Sequence, residues 1–184
     1  QRGKRLLVPA LLLLAGLPYL RTQVLTPLAT NNIYEQQFQI SRFIADFYRK
    51  PVAVNDLGLT SFHGNQYVLD FYGLGSRGAL ALRESEAPVE WMDSLAAQHN
   101  VKLAILYEDW FPRQPATWTP LGELYLGGSR ISAFDERVSF FALDAATARE
   151  TLPLLQAFSA TLPDQTRFVF RPAVVQSEPL SVTP

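Results

Sequence analysis

The chain has 184 residues, of which 48% are hydrophobic and none is cysteine, and its formal net charge is -1. These values exclude a disulfide framework, thiolate catalysis and cysteine-ligated metal sites. They also argue against a disordered acidic chain and against a nucleic-acid-binding protein that neutralises phosphates. The length and the apolar content suffice for one domain with a sizeable core.

An apolar segment occupies the N-terminal part of the sequence. Leu6 to Leu20 reads LLVPALLLLAGLPYL, without a charge, and is flanked by three basic side chains within residues 1–5 and by Arg21. A bilayer core needs roughly 20 helical residues, so a membrane span requires extension to Leu28. We therefore predict a transmembrane helix within residues 1–30. A secretory signal peptide and a buried core helix are the alternatives.

The distribution of charge predicts the orientation of this helix. Four of the 16 basic side chains and none of the 17 acidic ones lie in the first 21 residues. By the positive-inside rule this flank is cytoplasmic, which places residues 31–171 on the periplasmic or extracellular side of the cell membrane. Since the sequence begins with Gln1, we expect it to be part of a longer chain in which this helix is the last of several.

Helix-like and strand-like segments follow one another between residues 31 and 171. Asn32 and Glu35 have the spacing of a capping box, which predicts a helix that begins at Asn32 and ends near Tyr48. Further helices are predicted from Pro88 and after Asp144, the latter kinked or restarted at Pro153. Apolar runs predict strands at residues 52–54, 67–71, 102–107, 121–126, 138–143 and 168–170.

This order of elements predicts the fold class. A two-layer α/β (α+β) domain is expected over residues 31–171, with a mixed sheet and helices packed on it, preceded by one N-terminal transmembrane helix. Residues 172–184 are expected to form a flexible tail.

Two carboxylates follow predicted strands. Asp56 lies in an Asn-Asp-x-Gly turn, and Asp70 ends the next strand. Open α/β sheets bind ligands at the carboxyl ends of their strands, so Asp56, Asp70 and the nearby His63 are candidate ligand-binding residues at a shared crevice. The alternative role is structural, since aspartates in turns often accept hydrogen bonds from the backbone that follows. Neither His63 nor His99 has a metal-ligand spacing, and no metal or cofactor is predicted.

Two other motifs are less specific. Gly73, Gly75 and Gly78 match GxGxxG, but the segment that follows is too short before Pro88 for a dinucleotide-binding helix. A secreted hydrolase with a Ser-His-Asp triad built on His63 is a further hypothesis, and no nucleophile-elbow motif supports it.

The loop at residues 109–120 is rich in aromatic residues and proline. Trp110, Phe111 and Trp118 are candidates for contact with a glycan or with lipid headgroups. The same rings are equally suited to covering the edge of the sheet.

Several features occur together in residues 2–76. They are a basic-flanked membrane helix, an Asn-Ile-Tyr-x-x-Gln helix from Asn32, a strand ending in Asn-Asp-x-Gly at residues 52–58, and a strand with Asp70 followed by Gly73 and Leu74. This combination resembles the region after the last membrane helix of multi-pass bacterial glycosyltransferases, similar to protein mannosyltransferases that use polyprenyl-phosphate sugars.

The resemblance implies which partners the chain binds and which part of the enzyme catalyses the reaction. The expected partners are membrane lipid, a lipid-linked sugar donor and a glycan or protein acceptor. Binding of nucleic acid is not expected. In such enzymes the catalytic carboxylate belongs to an early extracytoplasmic loop, outside this segment, so no catalytic residue is assigned here. The domain is expected to cap the active site or to bind the acceptor. The alternative is a single-helix, membrane-anchored periplasmic binding or assembly module without transferase activity.

Overall fold

A computed structural model describes residues 2–171. The predicted tail, residues 172–184, lies outside the described residues, and so do the side chains of residues 2–6 and of His63.

One continuous helical segment runs from Arg2 to Tyr48. It consists of α1 (Arg2–Ile33), a π-helical segment (Tyr34–Phe38), α2 (Gln39–Arg42) and a second π-helical segment (Phe43–Tyr48). Arg49 then turns the chain with φ of 56°.

The apolar part of this helix is long and apolar enough to cross a membrane. None of its most apolar stretch is buried by the described part of the chain, so the alternative of a buried core helix is not found. Pro9, Pro18 and Pro27 lie inside α1. Prolines are more frequent in membrane helices than in soluble ones, so the helix is compatible with a transmembrane anchor.

The prediction that a helix begins at Asn32 is wrong, because Asn32 and Glu35 lie inside the continuous helix. Asn32 Oδ1 accepts the N–H groups of Ile131 (2.6 Å) and Ser132 (3.2 Å), and Glu35 Oε2 accepts the N–H group of Gly127 (3.0 Å). Both polar side chains are almost fully buried. They bind a distant loop, whereas a capping box would bind the backbone of its own helix.

Six strands form one mixed sheet in the order β2-β1-β3-β5-β4-β6. β1 pairs in parallel with β2 and with β3, and the other neighbours pair antiparallel. Each strand overlaps a predicted one, and the mixed sheet confirms the predicted fold class. The strands are β1 (Val52–Val54), β2 (Val68–Asp70), β3 (Leu103–Leu106), β4 (Thr119–Tyr125), β5 (Arg137–Ala142) and β6 (Arg167–Phe170).

Helices cover both faces of the sheet, so the domain has three layers where two were predicted. The remaining helices are α3 (Gly58–His63), α4 (Arg77–Glu84), α5 (Trp91–Gln98) and α6 (Ala145–Ser159). Successive residues of a strand point to opposite faces. Val54 and Ile105 therefore pack with the long helix and α6, whereas Ala104 and Leu106 pack with α4 and α5.

The sequence analysis did not predict α3 and α4, and it predicted a kink or restart in α6 that is absent from the structure. α3 and α4 have only six and eight residues, and each contains a glycine, so their periodicity is weak. α6 continues through Pro153 without a break. Its predicted cap is confirmed, because Asp144 Oδ1 accepts the N–H group of Thr147 at 2.7 Å.

Candidate functional site

The carboxyl ends of β1 and β3 form a topological switch point. After β1 the chain turns to the face of the sheet where α3 packs beside α2. After β3 it turns to the opposite face, where Phe111 and Trp118 are buried. Adjacent parallel strands whose following segments diverge in this way leave a crevice, and ligands of open α/β sheets bind there.

A small pocket lies at this switch point. It has room for about one water molecule. Its lining comes from the ends of both strands, from α3, from the long helix and from β5: Gln37, Ile40, Val54, Asn55, Asp56, Leu59, Thr60, Ile105, Tyr107 and Val138.

Two buried polar atoms of the pocket residues have no hydrogen-bond partner within residues 2–171. Asn55 Oδ1 accepts the N–H group of Tyr107 (3.0 Å), which joins the ends of β1 and β3, but Asn55 Nδ2 is unpaired. Gln37 Nε2 lies 3.4 Å from Asp56 Oδ2, but Gln37 Oε1 is unpaired. An unpaired buried polar atom costs about 1–3 kcal/mol, so the pocket is suited to a polar ligand or a water molecule.

Tyr107 joins the long helix to the end of β3. Its hydroxyl donates to Gln36 Oε1 at 2.5 Å and accepts from Gln37 Nε2 at 3.2 Å. Burial raises the pKa of the Tyr107 hydroxyl far above its usual value, and the carboxylates of Asp56 and Asp135 raise this pKa further. The hydroxyl therefore stays protonated at neutral pH and remains a hydrogen-bond donor.

The two predicted aspartates have different surroundings. Asp70 is 3% exposed, and its two carboxylate oxygens accept the N–H groups of Tyr72 (2.8 Å) and Gly75 (2.6 Å). This is the geometry of an aspartate that stabilises its own turn. Asp56 is partly exposed and lines the pocket. Of these two aspartates, Asp56 is therefore the one whose carboxylate is available to a ligand at the switch point.

We expect Asp70→Asn to lower the free energy of unfolding by about 2 kcal/mol, because the amide replaces a charged acceptor of two buried hydrogen bonds and presents N–H groups to one of the two donors. Urea unfolding of the chain in detergent micelles, followed by tryptophan fluorescence, measures this loss. Asp109→Asn is the control, since Asp109 is exposed. Equal stability of the two variants would contradict the structural role of Asp70.

The aromatic candidates separate into one accessible ring and two core rings. Phe111 and Trp118 are 5% and 6% exposed, and the Trp118 indole N–H donates to Asp93 Oδ1 at 2.6 Å. Both rings are buried in the core and offer almost no surface to a glycan or a headgroup. Trp110 is half-buried and lies 4.5 Å from the ring of Tyr72 and 4.8 Å from that of Phe134, measured between ring centroids.

The remaining sequence candidates lie elsewhere. His63 ends α3, and its side chain is outside the described part of the structure. Gly75 belongs to the turn that Asp70 stabilises, and Gly78 lies inside α4, whose N-cap is Ser76. Among the described residues, no three His, Asp or Glu side chains are grouped as metal ligands.

Sequence reasoning missed Gln37 and Tyr107 as pocket residues. Gln37 lies in a predicted helix and Tyr107 in a predicted strand. The apolar pattern of each segment accounted for both residues without a binding role. The adjacent polar residues Gln36 and Gln37, on a helix otherwise rich in apolar residues, were the available signal.

Comparison with known proteins places the chain in a family. No curated protein and no solved structure gives a significant match. A family model described as a domain of unknown function, DUF8728, matches residues 31–141, more than half of the chain and including the long helix from Asn31 and the whole switch point. The chain therefore belongs to the DUF8728 family.

Proposed function

We propose that this chain is the membrane-anchored, extracytoplasmic domain of a glycosyltransferase that uses a polyprenyl-phosphate sugar. In this proposal the domain binds the sugar or its acceptor at the membrane surface, and the transfer reaction takes place outside this chain. The resemblance of residues 2–76 to such enzymes supports the class of substrate, and the basic N-terminal flank supports the orientation.

The observation that best supports the proposal is the position of the pocket along the helix. Gln37 lines the pocket and lies nine residues beyond Leu28, where the apolar segment ends. At 1.5 Å per residue the pocket is about 14 Å from that end. A sugar attached to a lipid phosphate projects from the bilayer surface and can reach a pocket at that distance.

The polar and aromatic groups around the pocket suit a carbohydrate. The Asp56 carboxylate and the Gln37 amide accept and donate hydrogen bonds of the kind that sugar hydroxyls form. Tyr107 lines the pocket and packs against Trp110 (5.6 Å) and Phe134 (5.4 Å), so an aromatic cluster continues from the pocket to the surface. Since the pocket itself holds only about one water molecule, a sugar would bind at its rim, beside Asp56 and the half-buried Trp110.

A binding titration tests the proposal. The chain is placed in lipid nanodiscs and titrated with a short-chain polyprenyl-phosphate-mannose, with the same polyprenyl phosphate lacking mannose as the reference. Asp56→Asn is expected to weaken binding of the mannose compound by about tenfold to a hundredfold, because one charge-assisted hydrogen bond contributes about 1.5–3 kcal/mol.

The matched control is Asp46→Asn. Asp46 is exposed on the long helix that also carries Gln37, nine residues further along, so its substitution should leave the titration unchanged. No binding, or equal binding by the Asp56 and Asp46 variants, would contradict the proposal. Equal affinity for the compounds with and without mannose would instead favour an anchored lipid-binding module.

A further inference from the structure

We infer that the connection between β4 and β5 contacts the lipid headgroups of the bilayer from which the long helix emerges. The contact surface consists of Arg130 and Ile131 of this connection together with Ile33 of the helix, and it is called the headgroup surface below. The inference rests on the membrane anchor of the proposed function and adds a second point of contact with the bilayer.

The first argument is the depth of the connection relative to the apolar helix. Ser132 Oγ donates to the backbone oxygen of Ala29 at 2.8 Å, and Ala29 is the residue after Leu28. Asn32 Nδ2 donates to the backbone oxygen of Ser129 at 3.0 Å, and its Oδ1 accepts the N–H group of Ile131 at 2.6 Å. The connection is therefore bound to the first turn of helix beyond the apolar segment.

Helix geometry converts this position into a distance from the bilayer. With a rise of 1.5 Å per residue, the turn from Ala29 to Ile33 lies within about 8 Å of Leu28. The headgroup layer on each side of a bilayer is about 5–8 Å thick. The connection thus lies at headgroup depth whenever the apolar helix spans the hydrocarbon core.

The second argument is the chemistry of the surface. Ile33 and Ile131 are 41% and 39% exposed, although both are large and apolar. Arg130 is exposed and forms no ion pair within the described part of the chain, and its Nη1 donates to the backbone oxygen of Phe134 at 2.6 Å. Exposed apolar side chains beside a guanidinium group that has no carboxylate partner in the described part of the chain match an interface where acyl chains meet lipid phosphates.

The third argument is that the joint between helix and domain is held by several buried groups. Glu35 is 3% exposed and its carboxylate accepts N–H groups of Gly127 (3.0 Å) and Gly128 (3.4 Å). Gln36 is fully buried and donates to the backbone oxygen of Asp135 at 3.0 Å. These bonds, at both ends of the connection, fix its position relative to the helix and so relative to the bilayer.

Nitroxide quenching in nanodiscs tests the inference. The chain has no cysteine, so single-cysteine variants can be labelled with an environment-sensitive fluorophore without altering other residues. Ile131→Cys reports on the headgroup surface and Ile33→Cys is the depth standard on the helix. Phe62→Cys is the matched control, since Phe62 is 85% exposed on α3.

The control position lies on α3, which packs beside a part of the long helix far from the bilayer. Ser41 Oγ donates to the backbone oxygen of Leu59, and Gly64 lies beside Ala45, so α3 is level with helix residues 41–45. Phe62 is therefore at least about 20 Å beyond Leu28. Nitroxide-headgroup lipids are expected to quench the label at position 131 as strongly as at position 33, and several-fold more strongly than at position 62.

Two results would overturn the inference, and they are distinguishable. If the label at 131 behaves like the label at 62 while the label at 33 is quenched, the connection does not contact headgroups although the helix is inserted. If a label at Leu17→Cys is not quenched by acyl-chain nitroxides, the membrane anchor itself fails, and with it both the headgroup surface and the membrane part of the proposed function. The sugar-binding part of the proposed function is tested separately, by the titration with polyprenyl-phosphate-mannose.

Discussion

Replacing Phe43 with alanine is expected to lower the free energy of unfolding by about 4 kcal/mol, because the substitution removes a large ring from a fully packed site. Phe43 is completely buried, and its ring lies 5.5 Å from that of Phe140 on β5 and 5.2 Å from that of Phe158 on α6. The long helix, the sheet and α6 therefore meet at this ring. Urea denaturation of the chain in detergent micelles measures the change.

Phe62→Ala is the matched control for this prediction. It makes the same chemical change at a side chain that is 85% exposed, so we expect a change within about 0.5 kcal/mol. If Phe43→Ala were no more harmful than Phe62→Ala, the long helix would not be packed on the sheet as described.

Gly73→Ala is the second substitution with a large expected effect, a loss of about 3 kcal/mol. Gly73 has φ of 97°, a conformation that L-residues with a side chain rarely adopt. A Cβ atom there would lie 2.7 Å from the Cα of Leu80, which is backbone and cannot move aside cheaply. Backbone strain and overpacking therefore add, each at about 1–3 kcal/mol. A thermal melt monitored by circular dichroism detects the loss.

Gly78→Ala provides a comparison within the same segment. Gly78 lies inside α4, and a Cβ atom there would have no neighbour within 4 Å. Gly78→Ala should therefore leave stability unchanged or raise it by up to about 1 kcal/mol, since alanine favours helix more than glycine does. Opposite signs for the two substitutions are the expected result. Destabilisation by Gly78→Ala instead would indicate that position 78 needs glycine for a reason beyond backbone conformation.

The turn that contains Gly73 also explains why Asp56 and Asp70 differ. Asp70 accepts two N–H groups from Tyr72 and Gly75, on either side of Gly73, so its carboxylate is fully used within the turn. Within residues 2–171, the Asp56 carboxylate has a single, long hydrogen-bond contact, of 3.4 Å, with Gln37 Nε2. Substitution at Asp70 should therefore change stability, whereas substitution at Asp56 should change ligand binding.

The rigid joint between helix and domain links the two proposals. Gln37 lines the pocket, and Gln36, one residue earlier, binds both Tyr107 and the connection between β4 and β5. If the long helix spans a membrane as proposed, a pocket attached in this way stays at one height above the bilayer. That property suits a domain that receives a sugar from a lipid carrier, because positioning of the reacting groups accounts for a large part of the rate of transfer reactions.

Patterns within short stretches of sequence were sufficient for much of the fold. The six strands follow from their apolar runs, and α6 begins where Asp144 provides an N-cap. The apolar segment from Leu6 was recognisable as a helix of membrane-spanning composition by its length and flanks. These features depend on residues within a few positions of one another, which is why periodicity and capping rules identify them.

The sequence by itself therefore determined the mixed α/β class, the strands and the apolar N-terminal helix. Only the tertiary structure decided that Asn32 and Glu35 bind a loop more than 90 residues away, that helices cover both faces of the sheet, and that Phe111 and Trp118 belong to the core. The physical reason is that a polar side chain takes whichever partner the folded chain brings to it, and that partner can lie anywhere in the sequence.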